Sequence, residues 1–595
     1  MRARIHTAVI TVFVSVVLVA SISHHLFHDL FTIDIISLSH SYLSKATNPN
    51  LSILDQPPSS PSKSLYPNNP TSQSPSNSPS PSPSSSSPHT KPGCGAHLLP
   101  ARDPPDSILF PDWEVVVVSS LSNLPHPDPT IPSTCLFQDR NTSPADAGGI
   151  LPFGRRAFYR CVMPLSSRRQ RPFLSPALTD SPEKADTCQN QPRMIRWNFV
   201  TYESLSTEDD VILFTKGVNS RQGVNLPAAN LRCKFADGVT TAVTHSFQEV
   251  FRCPHPARPV PDLTRITLEI GPEDGNKRVV PSVAVYEPDR RTLADGAGRS
   301  LLCACTVVYN VAKFLKEWVI YHSRIGVEKF VLYDNGSDDD ITNVVAHLSR
   351  SGYDVTTFLW PWPKTQEAGF SHCATRMNDT CTWMMYVDVD EFIFSPSWRN
   401  ESQPSKNMLQ SLLPNDTTSS KSYSNDTMAS LPKIGQVAIS CLEFGPSNRR
   451  SHPKEGVTQG YTCRTRKEQR HKSIVRLDAV DLSLLNVVHH FDLKVGYKWK
   501  KVPLEQVVVN HYKYQAWSEF KNKFRRRVSA YVYDWRDGLN PKSKDRAPGL
   551  GSKAIEPEGW AQRFCEVNDT QLRDVGRSWF WLKEPSGDRL AWQDE

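Results

Sequence analysis

Residues 301–340, LLCACTVVYNVAKFLKEWVIYHSRIGVEKFVLYDNGSDDD, switch hydrophobic period twice within forty positions. Leu301 to Val308 is a continuous apolar run, which suits a strand covered on both faces. The next stretch repeats Phe314, Trp318 and Tyr321 at helical spacing, and Gly326 stands just past its end, where a residue without Cβ terminates a helix at little cost. KFVLYD is a second buried strand, running into an acidic, glycine-containing turn. ITNVVAHLSRSG (341–352) reads as another helix, YDVTTFLWPW (353–362) as a third strand and WMMYV (383–387) as a fourth. Strands alternating with helices at this spacing predict βαβ units on a mostly parallel sheet, with ligands beyond the carboxyl ends of the strands.

That rule gives meaning to the sequel of the fourth strand, DVDEF (388–392). Residues two apart in a strand share a face, so an extended segment would project Asp388 and Asp390 together and Val389 away. Two convergent carboxylates suit a hard divalent cation, Mg²⁺ or Mn²⁺, that keeps positions open for the phosphates of a nucleotide. An exposed acidic turn is the alternative, and Asp338-x-Asp340 shows how readily such spacing arises. Asp334 ends the second strand and is followed by Asn335. With Asn310 after the first strand, these residues are candidates for the nucleotide side, an Asx turn being the rival role for Asp334.

Outward from this core the chain changes character. Residues 108–290 hold short strand-like segments, among them WEVVVVSS, AFYRCVMP and DVILFTKGV, separated by turn formers, and predict an all-β sandwich or barrel. Trp197, Phe199 and Tyr202 could offer a sugar-stacking face there, with core packing as the alternative. Residues 46–93 are Ser, Pro and Asn with almost nothing to bury, a disordered stem. Arg2 and Arg4 precede an apolar run at 7–23. We expect a signal anchor that leaves residues 1–6 cytosolic and the rest lumenal, with a cleaved signal peptide as the rival. Glycan acceptor triplets at Asn50, Asn141, Asn378, Asn400, Asn415, Asn425 and Asn568 agree with a secretory route. The 13 cysteines suit an oxidising lumen, with Cys373/Cys381 and Cys233/Cys253 the pairs suggested by proximity and Cys303 and Cys305 expected as buried structural residues. Residues 396–432, polar and Ser-rich, predict an exposed insertion, and 536–595 a C-terminal extension to a catalytic domain at 300–535. The net charge of +7 over 595 residues argues against a nucleic-acid binder.

The ordered series CACTVVYNVAKFLKEWVIYHSRIGVEKFVLYDNGSDD, DVDEF and VVVNHYKY (507–514) resembles glycosyltransferase family 92, which includes the plant β-1,4-galactan synthases. The similarity covers roughly residues 301–533. It implies a GT-A fold, a UDP-sugar donor, Mn²⁺ dependence and inversion at the sugar carbon; the anchor, stem and globular body separately suggest a Golgi membrane enzyme of type II topology. Asp388 and Asp390 match the family's metal and diphosphate segment, Asp334 falls in its nucleotide half, and His511, closing the apolar strand QVVVN, is its expected remaining metal ligand. His489 and His490 are the rivals, and a hydrogen-bonded sheet-edge histidine is the alternative role. Lys472, in RHKSIV, becomes a diphosphate contact. Inverting displacement needs one base to take the acceptor proton, and Glu443 and Asp492 are the candidates. The expected partners are a UDP-hexose, a glycan or cell-wall polysaccharide, the membrane and a second copy of the chain. The competing reading is a lumenal carbohydrate-binding protein without activity.

Overall fold

The computed structural model describes residues 106–593 apart from 121–132, 152–155, 181–190, 220–223, 273–274, 289–297, 415–431, 488, 523–555 and 586. The expected tail, anchor and stem lie outside the described residues. Among those described, no helix is long and apolar enough to cross a membrane.

The βαβ reading holds across β1 (Ser300–Val308), α1 (Ala312–Ile325), β2 (Lys329–Asp334), α2 (Ile341–Arg350), β3 (Asp354–Leu359), α3 (Gln366–Arg376) and β4 (Cys381–Tyr386). After β4 come β5 (Glu391–Phe394), β6 (Lys433–Glu443), β7 (Gln469–Arg476), β8 (Tyr497–Lys501) and β9 (Val508–His511). Among the described residues they form one nine-stranded sheet of order β3-β2-β1-β4-β7-β6-β9-β5, with β8 also paired to β6. β1 runs parallel to β2 and β4, and β2 to β3. β7 and β5 enter antiparallel, so the sheet is mixed, with parallel pairs in the majority.

Strand alternation explains the helix layers. Leu302, Ala304, Phe330 and Leu332 face α1 and α2 on one side. Cys303, Cys305, Val331 and Tyr333 face α3 on the other. The strand order reverses between β1 and β4, which is the condition for a crevice at their carboxyl ends. Two disulfides fix this region, Cys303–Cys381 between β1 and β4 and Cys305–Cys373 between β1 and α3. The expected Cys373/Cys381 pair is therefore corrected. Nearness in sequence misled there, because parallel pairing brings the starts of β1 and β4 together, and α3 packs its own cysteine onto β1. Cys233–Cys253 forms as expected. Cys441, inside β6, is a buried free thiol.

Two boundaries differ from expectation. The insertion begins as ordered structure, with Trp398, Met408, Leu409 and Leu413 buried in the α1 side of the core. Residues after 555 also belong to that core: Leu572, Val575, Phe580 and Trp592 pack into it, and Cys565 is bonded to Cys463. Both segments are locally polar, so their few apolar anchors are hard to tell from surface residues by period alone.

The β-rich module is a sandwich plus one further sheet. Strands at Val200–Ser206, Asp210–Lys216 and Val250–Pro254 pack on Leu231–Phe235 and Thr264–Ile270 around Leu213, Phe251 and Ile266. A seven-stranded sheet centred on Glu114–Ser120 and Arg156–Val162 has a core on each face. Its even-numbered residues Val116, Val118 and Phe158 share a core with Tyr333 of β2 and with Trp360 and Trp362, which follow β3. Trp197 and Trp362 stack at 5.9 Å with planes 9° apart, which assigns Trp197 to packing. Tyr202 is buried in the same core, and Phe199 is partly buried beneath the guanidinium of Arg278.

Candidate active site

The DVDEF segment is a turn, not a continuing strand. β4 stops at Tyr386, the Glu391 amide donates to the Asp388 carbonyl at 3.0 Å, and the chain reverses into β5. The two aspartates accordingly splay rather than share a strand face, and each acquires its own partners.

Sheet register supplies the rest. Glu391 lies directly opposite His511 on β9, and His511 directly opposite Glu443 on β6. Paired residues point to the same face, so three titratable side chains stand in one row, about 5 Å apart from strand to strand. His511 Nδ1 is 3.5 Å from Glu391 Oε1, and its Nε2 is 3.5 Å from Asp390 Oδ2. That Nε2 is buried and has no hydrogen-bond partner. Among the described residues, Asp390, Glu391 and His511 offer ligand atoms that all lie within 4.8 Å of one another. Glu443, the last residue of β6, accepts from Lys513 Nζ at 2.6 Å.

Asp388 belongs to a different cluster. Lys472 Nζ on β7 reaches Asp388 Oδ2 at 2.8 Å, Glu391 Oε1 at 2.9 Å and His489 Nε2 at 2.6 Å. The Asp388 amide donates back to Glu391 Oε2 at 2.8 Å, and Gln366 at the start of α3 donates to Oδ1 at 3.3 Å. Burial is the largest single influence and works to raise the Asp388 pKa, but the charge and hydrogen bond of Lys472, together with His489, hold the carboxylate well below its usual range. Glu391, 0 % exposed, is moved upward by burial against the opposing pull of Lys472. Burial, then Lys472, holds His489 down to about 3, so its imidazole is neutral and its Nε2 can accept a hydrogen bond from the ammonium.

The other expected residues divide. Asn335 donates from Nδ2 to the carbonyls of Trp360 (2.6 Å) and Trp362 (3.0 Å), and Asn310 is held by Ser337 Oγ and the Asp338 amide. Both line a cleft of about 1370 Å³ that also takes in Asp388, Asp390, Glu443, Lys472 and His511. Asp334 does not line it. Its Oδ1 accepts from the Ser337 amide at 2.9 Å and hydroxyl at 2.7 Å, an Asx turn that shapes the loop. Asp492 is likewise outside the cleft. It leaves the Asn486–Phe491 hairpin and pairs its backbone with Leu485 and Asp481, while His489, three residues earlier, is the one that enters. Asp338 and Asp340 serve the loop and the start of α2. Lys472 stands at the cleft as expected, but its ammonium is committed to the carboxylates of DVDEF.

Sequence reasoning gave no role to Glu391, Lys513, Gln366 or the module residues at the cleft. Glu391 adjoins the aspartates and Lys513 follows His511 by two, so proximity could have suggested both. The others come together only through tertiary packing.

Residues 299–537 match the model of glycosyltransferase family 92. A family 92 protein of Ricinus communis is 44 % identical over 399 residues, 64 % of this chain and 67 % of that one. Family 92 proteins of Arabidopsis thaliana (43 % over 402 residues, 65 % and 68 %) and Oryza sativa subsp. japonica (40 % over 423 residues, 67 % and 68 %) are similar in the same way.

Proposed function

Because the chain belongs to glycosyltransferase family 92, and is therefore a glycosyltransferase, we propose that it transfers a hexose, galactose by family resemblance, from a UDP-sugar to a glycan with inversion, in a GT-A-type site. One observation carries this reading: carboxylates and an orphaned imidazole converge at the carboxyl edge of the sheet, in a cleft large enough for a sugar nucleotide.

The donor set fits a divalent cation, Mn²⁺ or Mg²⁺, through hard carboxylate oxygens and one imidazole nitrogen. Asp390 and His511 Nε2 would hold it, with Asp388 and Glu391 adjoining, and its charge would offset that of the departing diphosphate. Glu391 serves best as the group that orients His511, since a carboxylate at Nδ1 leaves the Nε2 lone pair facing Asp390. Lys472 favours the ionised form of Asp388 and holds both buried carboxylates in place. Glu443, fixed by Lys513, is the base: the acceptor oxygen bonds to the anomeric carbon, the bond to the diphosphate oxygen breaks with its electron pair, and the proton passes to Glu443. A Golgi location with a type II anchor remains part of this proposal, on the lumenal signs in the sequence alone.

The test is UDP release and product formation from a panel of UDP-hexoses and glycan acceptors, with the purified enzyme and Mn²⁺. Transfer from one UDP-hexose with inverted stereochemistry is the expected result. Failure of every donor, with or without metal, refutes the proposal.

A further inference from the structure

The β-rich module contributes to the same cleft. Its Phe110, Glu114 and Arg160 line the cavity together with Asn310, Gly336 and Asp388. Strand alternation shows why. On the strand Arg156–Val162, Ala157, Tyr159 and Cys161 point into the module's own core. Arg156, Phe158 and Arg160 point the other way. Arg156 meets buried Glu203 at 3.6 Å, and Glu203 in turn accepts from Trp362 Nε1 at 3.3 Å. Phe158 packs edge-on against Trp362 at 6.4 Å. One step further along the same face, Arg160 donates from Nη2 to the Gly336 carbonyl at 2.9 Å, in the turn after β2. Gly336 has φ 76°, and a Cβ there would come within 3.1 Å of Arg160 Nη2, so the turn is shaped around this guanidinium.

The position along the sheet gives Arg160 a role. The charged row sits at and beyond β4, and β1 and β2 follow on the side away from Glu443. From β4 to β2 is two strand spacings, about 10 Å, a distance that a ribose and a base span between them. A nucleotide with its diphosphate at Asp388 and Asp390 therefore brings its base to Asn310, Gly336 and Arg160. We infer that the β-rich module forms the outer wall of the nucleotide pocket and that Arg160 donates to the carbonyl edge of the base. This rests on the sugar-nucleotide reading above. Arg160 has five N–H donors and no acceptor, and its side chain is 27 % exposed, which keeps it within reach of a ligand. Uracil carries two carbonyls. Cytosine replaces one with an amino group, which a guanidinium cannot serve.

Titration calorimetry of the full enzyme with UDP and CDP, in wild type, R160A and R160Q, tests this. Wild type should prefer UDP. R160A should lose about tenfold in UDP affinity and less in CDP affinity, narrowing the preference at least threefold, with R160Q in between. A guanidinium that merely braces the turn would lower Tm and leave the UDP/CDP ratio unchanged, and that result overturns the inference. So does a change confined to the acceptor KM. Wild type that binds no nucleoside diphosphate overturns the proposed function itself, a different failure from equal binding by wild type and R160A.

Discussion

Replacing Lys472 with Met keeps the length and apolar stem of the side chain and removes the one charge that touches Asp388, Glu391 and His489 together. Lys472 is 6 % exposed and Glu391 0 %, so that pair is shielded from water, while the Asp388 side chain, 23 % exposed, faces the cleft. Removing one partner of a buried pair costs about 3–5 kcal/mol. The compact unit Gly93–Glu595, on the order of 500 residues, unfolds with an entropy of about 1 kcal/mol/K, so a loss of about 4 kcal/mol lowers Tm by about 4 °C. The sign with pH is fixed. In wild type Asp388 is depressed, so its contribution is present above the ordinary aspartate range and fades only as pH falls towards its folded value. In K472M, burial without the ammonium raises both carboxyls, and acid relieves the strain. Scanning calorimetry should therefore show the Tm gap between the two proteins narrowing from pH 7.5 to pH 5. In the double variant K472M/D388N, D388N should cost at least about 1 kcal/mol less than it does alone. Additive losses with a pH-independent gap would refute the view that Lys472 acts as the counter-ion of this turn.

His511→Ala should weaken Mn²⁺ binding measured by calorimetry at least tenfold, about 1.4 kcal/mol, and an unchanged titration would leave His511 a packing residue. Glu443→Gln should lower kcat by roughly 10²–10⁴ with UDP affinity intact, whereas a wild-type rate would remove Glu443 as the base. Glu203, pushed up to about 7 by burial despite Arg156, holds its proton in the fold at pH values where the unfolded chain releases it. Stability should therefore fall as pH rises from about 4.5 to about 7, by on the order of 3 kcal/mol. Glu203→Gln should flatten the Tm profile over that window, and a wild-type slope in the variant would contradict the assignment.

The alternation of strand and helix from Leu301 onward was readable because a strand covered on both faces must be apolar throughout, and a helix packed on one face must repeat every three to four residues. The same logic singles out His511 and Glu443 as titratable residues closing apolar strands, and the structure sets them opposite one another on β9 and β6. The aspartates were singled out on a geometry that the structure corrects. A turn at Asp388–Asp390 and an extended strand look alike in five residues, and only the hydrogen bond from Glu391 to Asp388 distinguishes them. Asp334 was equally ambiguous, since an aspartate at a strand end can bind a ligand or its own loop, and Ser337 three residues on decides for the loop.

What the sequence determined by itself was the local part of this protein: the βαβ order, the acidic residues at the ligand edge, and the family resemblance carried by the ordered motifs at 303–339, 388–392 and 507–514. Register and long-range packing were decided only in three dimensions. No local pattern states that Glu391, His511 and Glu443 pair across three strands drawn from positions 391, 443 and 511. Nor does any local pattern state that Cys305 bonds to Cys373, or that Arg160 of a separate module closes the cleft over Gly336. Those contacts are set by which sheet faces bury the most apolar surface against each other, a property of the whole assembled core and not of any window along the chain.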